Sequence, residues 1–181
     1  MKISLVALQV SLLTAAISTA HADGIRSRTD LGVALQNAVQ CKGVLDARDK
    51  PVLQDLVRLG VKVDGANEDG AISLTYTLPA GVSVFGYEAK KVVYDGDSGS
   101  IFYVELAAGS ADLLKLKNDL QLVPIPKGNL NYAYFDRLDT RYYRSVHPPT
   151  QDDPYPSALV AGLEREGAST YAYVGCVTFD G

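Results

Sequence analysis

The chain of 181 residues carries 17 Lys and Arg against 21 Asp and Glu, a formal net charge of −4, with 47% hydrophobic and 21% charged residues, 16 Gly, 8 Pro and no Trp. That balance belongs to a globular protein and excludes collagen-like, mucin-like and highly charged disordered chains. There is no polybasic run, so nucleic acid and anionic membrane surfaces, which are bound through concentrated Lys and Arg, are not expected partners.

Met1 and Lys2 make a short basic start, and Ile3 to Ile17 is apolar or small apart from a few uncharged polar residues. Ala20-His21-Ala22 then offers small residues at the two positions a signal peptidase reads. The pattern predicts a cleaved signal peptide over residues 1–22 and a single α+β domain over 23–181. A membrane span would need about 20 strongly apolar residues. This run is shorter and is diluted by Gln9, Ser11, Thr14 and Ser18, so no membrane insertion is expected after cleavage. The leader holds one basic residue and no acid, which leaves a mature net charge of −5 and His147 as the remaining histidine. The expected destination is the bacterial periplasm or the medium, and the acidic balance favours a basic partner.

Thr29 or Asp30 is placed to cap a first helix, with Leu31, Ala34, Leu35, Ala38 and Val39 forming one apolar stripe and Gly43 beyond its end. A second helix is predicted from Asp46 or Asp49 to Leu59, with Pro51 in its first turn and Gly60 closing it. Asp64 to Gly70 reads as a polar turn. From Ile72 the period becomes two, with Ile72, Leu74, Tyr76 and Leu78 alternating with Ser73, Thr75 and Thr77, the mark of a strand with one wet face. Further strands are predicted at Val82 to Tyr87, Ala89 to Tyr94 and Ser100 to Leu106, the last two joined by the turn-prone run Asp95 to Gly99. Ser110 then caps a helix with Leu113, Leu114, Leu116 and Leu120 on its apolar side. Tyr132 to Phe135 and Arg141 to Val146 are β-prone, Ser157 to Glu166 reads as a short helix, and Thr170 to Phe179 closes as a strand.

Cys41 and Cys176 are the two cysteines, and in an oxidising compartment they are expected to form a single disulfide from the first helix to the last strand. The chain-entropy account gives so long a loop a stabilisation on the order of 4 to 5 kcal/mol as an upper value. The fold class is therefore α+β: a mainly antiparallel sheet packed by two N-terminal helices and one or two further helices.

Motifs for catalysis are sparse. Gly96-Asp97-Ser98-Gly99 has the letters around the nucleophile of chymotrypsin-like proteases, but the likeness stops at Ser100, and His147 lies downstream where those proteases place the base upstream. The carboxylates around Asp64 and Asp95 miss the Gly and Glu positions of a calcium loop. One His and two cystine sulfurs cannot assemble a zinc site, so no metal or cofactor is expected. Asp152-Asp153 and Glu164 with Glu166 are carboxylate pairs, which a glycoside hydrolase would hold across a cleft.

The unusual segment is Tyr132, Tyr134, Phe135, Arg137, Arg141, Tyr142, Tyr143 and Arg144, followed by His147 and Tyr155. Tyr and Arg are enriched where proteins meet, because each joins a broad, stiff contact area to hydrogen bonding. The expected binding residues are Arg137, Arg141, Tyr142, Tyr143, Arg144, His147 and Tyr155. They suit an exported binding protein that acts by stoichiometric contact with another protein of its compartment, as an inhibitor or immunity-type protein does. A small periplasmic hydrolase using carboxylates or His147, and a small-ligand carrier, are the alternatives.

Overall fold

The computed structural model of the chain describes residues 24–68, 71–96, 99–126, 138–148 and 156–179. The first helix, α1, spans Arg28–Val39. Its cap is Ser27, two residues earlier than Thr29: the Ser27 backbone is extended and its Oγ accepts from the Asp30 N–H at 3.1 Å. Leu31, Leu35, Ala38 and Val39 face inward, as their spacing requires. The helix α2, Lys50–Arg58, starts after Asp49 with Pro51 in the first turn and buries Leu56.

The ten other elements of the described residues follow in the order β1 Lys62–Glu68, β2 Ala71–Thr77, β3 Ser83–Val84, β4 Tyr87–Gly96, β5 Gly99–Leu106, α3 Ser110–Asp119, β6 Val123–Pro124, β7 Leu138–His147, β8 Ser157–Glu166 and β9 Ser169–Phe179. The strands form one sheet in the spatial order β1-β2-β4-β5-β9-β8-β7-β6, with β3 paired to β4 off that path. Every pairing is antiparallel. Two meanders, β1 to β5 and β6 to β9, thus meet along one seam where β5 lies against β9 from Gly99↔Phe179 to Leu106↔Ala172.

Four expectations need correcting. The polar turn at Asp64 to Gly70 is mostly strand: β1 occupies Lys62–Glu68 and folds onto β2. An edge strand needs little apolar content, so composition disguised it. The helix expected at Ser157 to Glu166 is β8, inserted between β7 and β9 with Ser157 through Glu164 buried. A strand covered on both faces is a continuous apolar run, which periodicity cannot separate from a buried helix. That leaves α3 as the one helix after α2 among the described residues, and within it Leu114 is 56% exposed while Leu113 and Leu116 are buried. The strand at Val82 to Tyr87 breaks at Phe85 and Gly86, both with positive φ, into β3 and the start of β4. Tyr132 to Phe135 lie outside the described residues.

The helices cover one face of the sheet. Leu31, Leu35, Leu56, Leu113 and Leu116 pack there against Tyr76, Phe102, Leu159 and Val174. The buried Tyr76 hydroxyl ties the α1–α2 connection to β2, donating to the Leu45 carbonyl at 3.2 Å and accepting from the Ala47 N–H at 3.1 Å. Burial pushes that phenol up to about 12. Cys176 shares this face with Ala172 and Val174 and is bonded to Cys41, just past α1, with the Cα atoms 5.2 Å apart. On the opposite face Val93, Ile101, Tyr103, Val160 and Tyr173 make a second apolar cluster. No described helix is long and apolar enough to cross a membrane.

Candidate functional site

Five of the seven expected binding residues, Arg141, Tyr142, Tyr143, Arg144 and His147, lie on β7; Arg137 and Tyr155 are outside the described residues. β7 is next to the end of the sheet. Its inner side is paired along its length with β8, while its outer side meets the two-residue β6 at Val123↔Tyr143 and Pro124↔Tyr142, extended by the Ile125 N–H on the Arg141 carbonyl at 3.1 Å. Among the described residues, no strand pairs with the outer side of Arg144 to His147.

Strand geometry divides the set between two faces. Tyr142 and Arg144 stand opposite Ala161 and Leu159, on the helix-covered side, whereas Tyr143 stands opposite Val160 and packs into the second cluster. Two register shifts interrupt β7, with Arg141 as the extra residue between Thr140 and Tyr142 and Val146 between Ser145 and His147. The second shift decides the surface. It brings His147 opposite Ser157, so that His147 joins Arg144 and Tyr142 on one side instead of alternating away. Arg141 is exposed, and its guanidinium is held by the neighbouring Asp139 carboxylate at 2.6 Å, which also raises its pKa. Tyr143 is half-buried and is a packing residue as much as a surface one.

A residue from outside the expected set completes the surface. Lys117, in the last turn of α3, puts its ammonium 5.8 Å from the centre of the Tyr142 ring. Lys117 and Arg144 therefore place two cations by Tyr142 at the edge, with His147 further along the same face, and among the described residues none of the three has an anionic partner. Nothing in the sequence near α3 signals this, since Lys117 reads as an ordinary exposed helix lysine until β7 is folded beside it.

The carboxylates of Glu164 and Glu166 have a different role from the paired acids of a hydrolase. On the second face of the sheet the Lys91 ammonium reaches Glu105 Oε2 at 3.0 Å, Glu164 Oε1 at 3.4 Å and Glu166 Oε1 at 3.7 Å, and the Tyr103 hydroxyl donates to Glu164 Oε1 at 3.0 Å. Glu105 and Glu164 are buried, and Glu164 Oε2 has no hydrogen-bond partner. Burial pushes the Glu105 carboxyl up, against the opposing pull of Lys91. Burial acts to lower the Lys91 pKa, but the surrounding carboxylates, Glu105 first, outweigh it and raise the value. The arrangement sets one ammonium among three carboxylates across the seam, linking β4 and β5 to β8. The Tyr173 hydroxyl, raised by burial, is joined to Thr140 of β7 on the same face.

A third feature is an open groove of about 430 Å³ between α1, the following loop and α2, floored by Ala34, Ala38, Leu45 and Val52 and rimmed by Lys42 and Asp49. Comparison with protein families, with curated proteins and with solved structures finds no match for this chain.

Proposed function

We propose that this chain is an exported binding protein that acts by one-to-one contact with another protein of its compartment, as an inhibitor or immunity-type protein does, and that the contact runs along the β7 edge. The observation that carries this reading is the incompletely paired outer side of β7, which bears Arg144 beside Tyr142 and Lys117, with His147 further along. An exposed strand edge is a template for pairing with another chain, and proteins that do not use such an edge normally blunt it. A disulfide-tied scaffold supports the reading physically, because a rigid edge loses little freedom on association.

The test is a photo-crosslinking amino acid placed at Ser145 on this edge and, as control, at Asp64 on the far edge strand β1. With bacterial periplasmic extract, position 145 is expected to give one dominant adduct whose mass fits a single partner, and position 64 none. Equal labelling from both edges, or no adduct from 145, overturns the proposal.

A further inference from the structure

We infer that the β7 edge takes an extended acidic segment of the partner, with carboxylates at alternate positions. This rests on the reading of β7 as the contact edge and adds the chemistry of what docks there. The protein as a whole is acidic, with a net charge of −4, so its overall field favours basic partners. The edge has the opposite sign. Lys117 comes from α3 and stands 5.8 Å from the centre of the Tyr142 ring, Arg144 follows Tyr142 on the same face of the strand, and His147 adds a hydrogen-bonding side chain beyond the register shift. The one other cation nearby on β7, Arg141, is already neutralised by Asp139.

Spacing narrows the ligand. Strand residues on one face recur about every 6.6 Å, and the shift at Val146 makes Arg144 and His147 behave as such a pair. A segment added alongside would hydrogen-bond through its backbone and present every second side chain to that face, the recognition mode in which main-chain pairing gives affinity and alternate side chains give specificity. Glu or Asp at those alternate positions would meet Arg144, beside the Tyr142 ring and Lys117, and then the hydrogen-bonding side chain of His147. The guanidinium offers planar, charge-assisted hydrogen bonds to carboxylate. Even spacing on one face, with a strand edge beside it, favours a polypeptide over a single-stranded nucleic acid, whose phosphates need no such edge.

The probe is a capped decapeptide of alternating Glu and Thr, titrated into the intact disulfide-bonded chain while backbone amide shifts are followed by NMR. Alternating Lys and Thr, and a ten-nucleotide oligo-dT, are the comparisons. Shifts concentrated at residues 144–147 and 123–124 are expected with the Glu peptide alone. Arg144→Glu and Lys117→Glu should each weaken it about tenfold or more, and raising the salt from 0.05 to 0.5 M should weaken it further. Equal or tighter binding of the Lys peptide or of oligo-dT, shifts elsewhere, or indifference to both reversals would overturn the inference. Should the crosslink at 145 capture a partner while the Glu peptide leaves the edge unmoved, the acidic segment fails and the contact reading stands; loss of both removes the two together.

Discussion

Lys91 shows how far one side chain can decide the state of its neighbours. It is the cation facing two buried carboxylates, Glu105 and Glu164. Lys91→Met would leave both without a counter-charge, and breaking such a pair costs about 3 to 5 kcal/mol. A fall of that size in urea-unfolding free energy at pH 7 is expected, shrinking as the pH is lowered and the carboxylates take up protons. In the unchanged protein the signs oppose one another. Glu105 has its folded pKa raised, so its contribution is fully present below the ordinary carboxylate value and is lost as the pH rises through the raised one. Asp46, held down by its hydrogen bond from Arg48, and Asp55, held down by Arg58, supply stability above their ordinary value of 3.8 that is lost as the pH falls through the lowered one. The urea midpoint should therefore rise as the pH is lowered towards the ordinary glutamate value of 4.5 and drop as it falls below the ordinary aspartate value of 3.8. Glu105→Gln should abolish the rise and leave the drop. This cluster was hidden in the sequence because Lys91, Glu105 and Glu164 lie on three strands whose order in the sheet no local pattern reveals.

At the scale of elements, legibility followed periodicity. The stripe from Leu31 to Val39 and the alternation from Ile72 to Leu78 identified α1 and β2 nearly to their ends. The Ser157 to Glu166 run has no period, and tertiary burial alone makes it β8. Gly162 agrees with that outcome, since a Cβ there would stand 2.2 Å from the Asp139 carbonyl oxygen of β7. At the candidate edge, the Tyr and Arg residues of β7 were visible as a group, but their division between faces depends on two register shifts that composition does not encode. Close approach gives a further prediction. A Cβ on Gly32 of α1 would lie 2.4 Å from the Ser83 carbonyl oxygen of β3. Gly32→Ala should push α1 off the sheet and cost about 1 to 3 kcal/mol despite the better helix propensity of alanine, measurable as a lowered unfolding free energy with unchanged helical circular dichroism.

For the whole molecule, the Cys41–Cys176 bond joins positions 135 apart in sequence, from the end of α1 to the seam strand β9. Its pairing was legible from the cysteine count and the compartment argument, whereas its place beside the seam was not. Reduction should lower the unfolding free energy by up to about 4 to 5 kcal/mol by the loop-entropy account. The comparison to make is urea unfolding with and without a thiol reductant, and the Cys41→Ser, Cys176→Ser double variant should match the reduced protein.

The position of β9 has a consequence for how the fold is reached. Although the last of the described strands in chain order, it occupies the middle of the sheet and is the plank that bridges the two meanders. Without it, β5 and β8 are raw margins with no neighbour between them, and the pairings that close the sheet, such as Gly99 with Phe179, join residues far apart in sequence, which slows folding. Removing a few residues from that stretch would therefore split the architecture at its centre instead of trimming its rim.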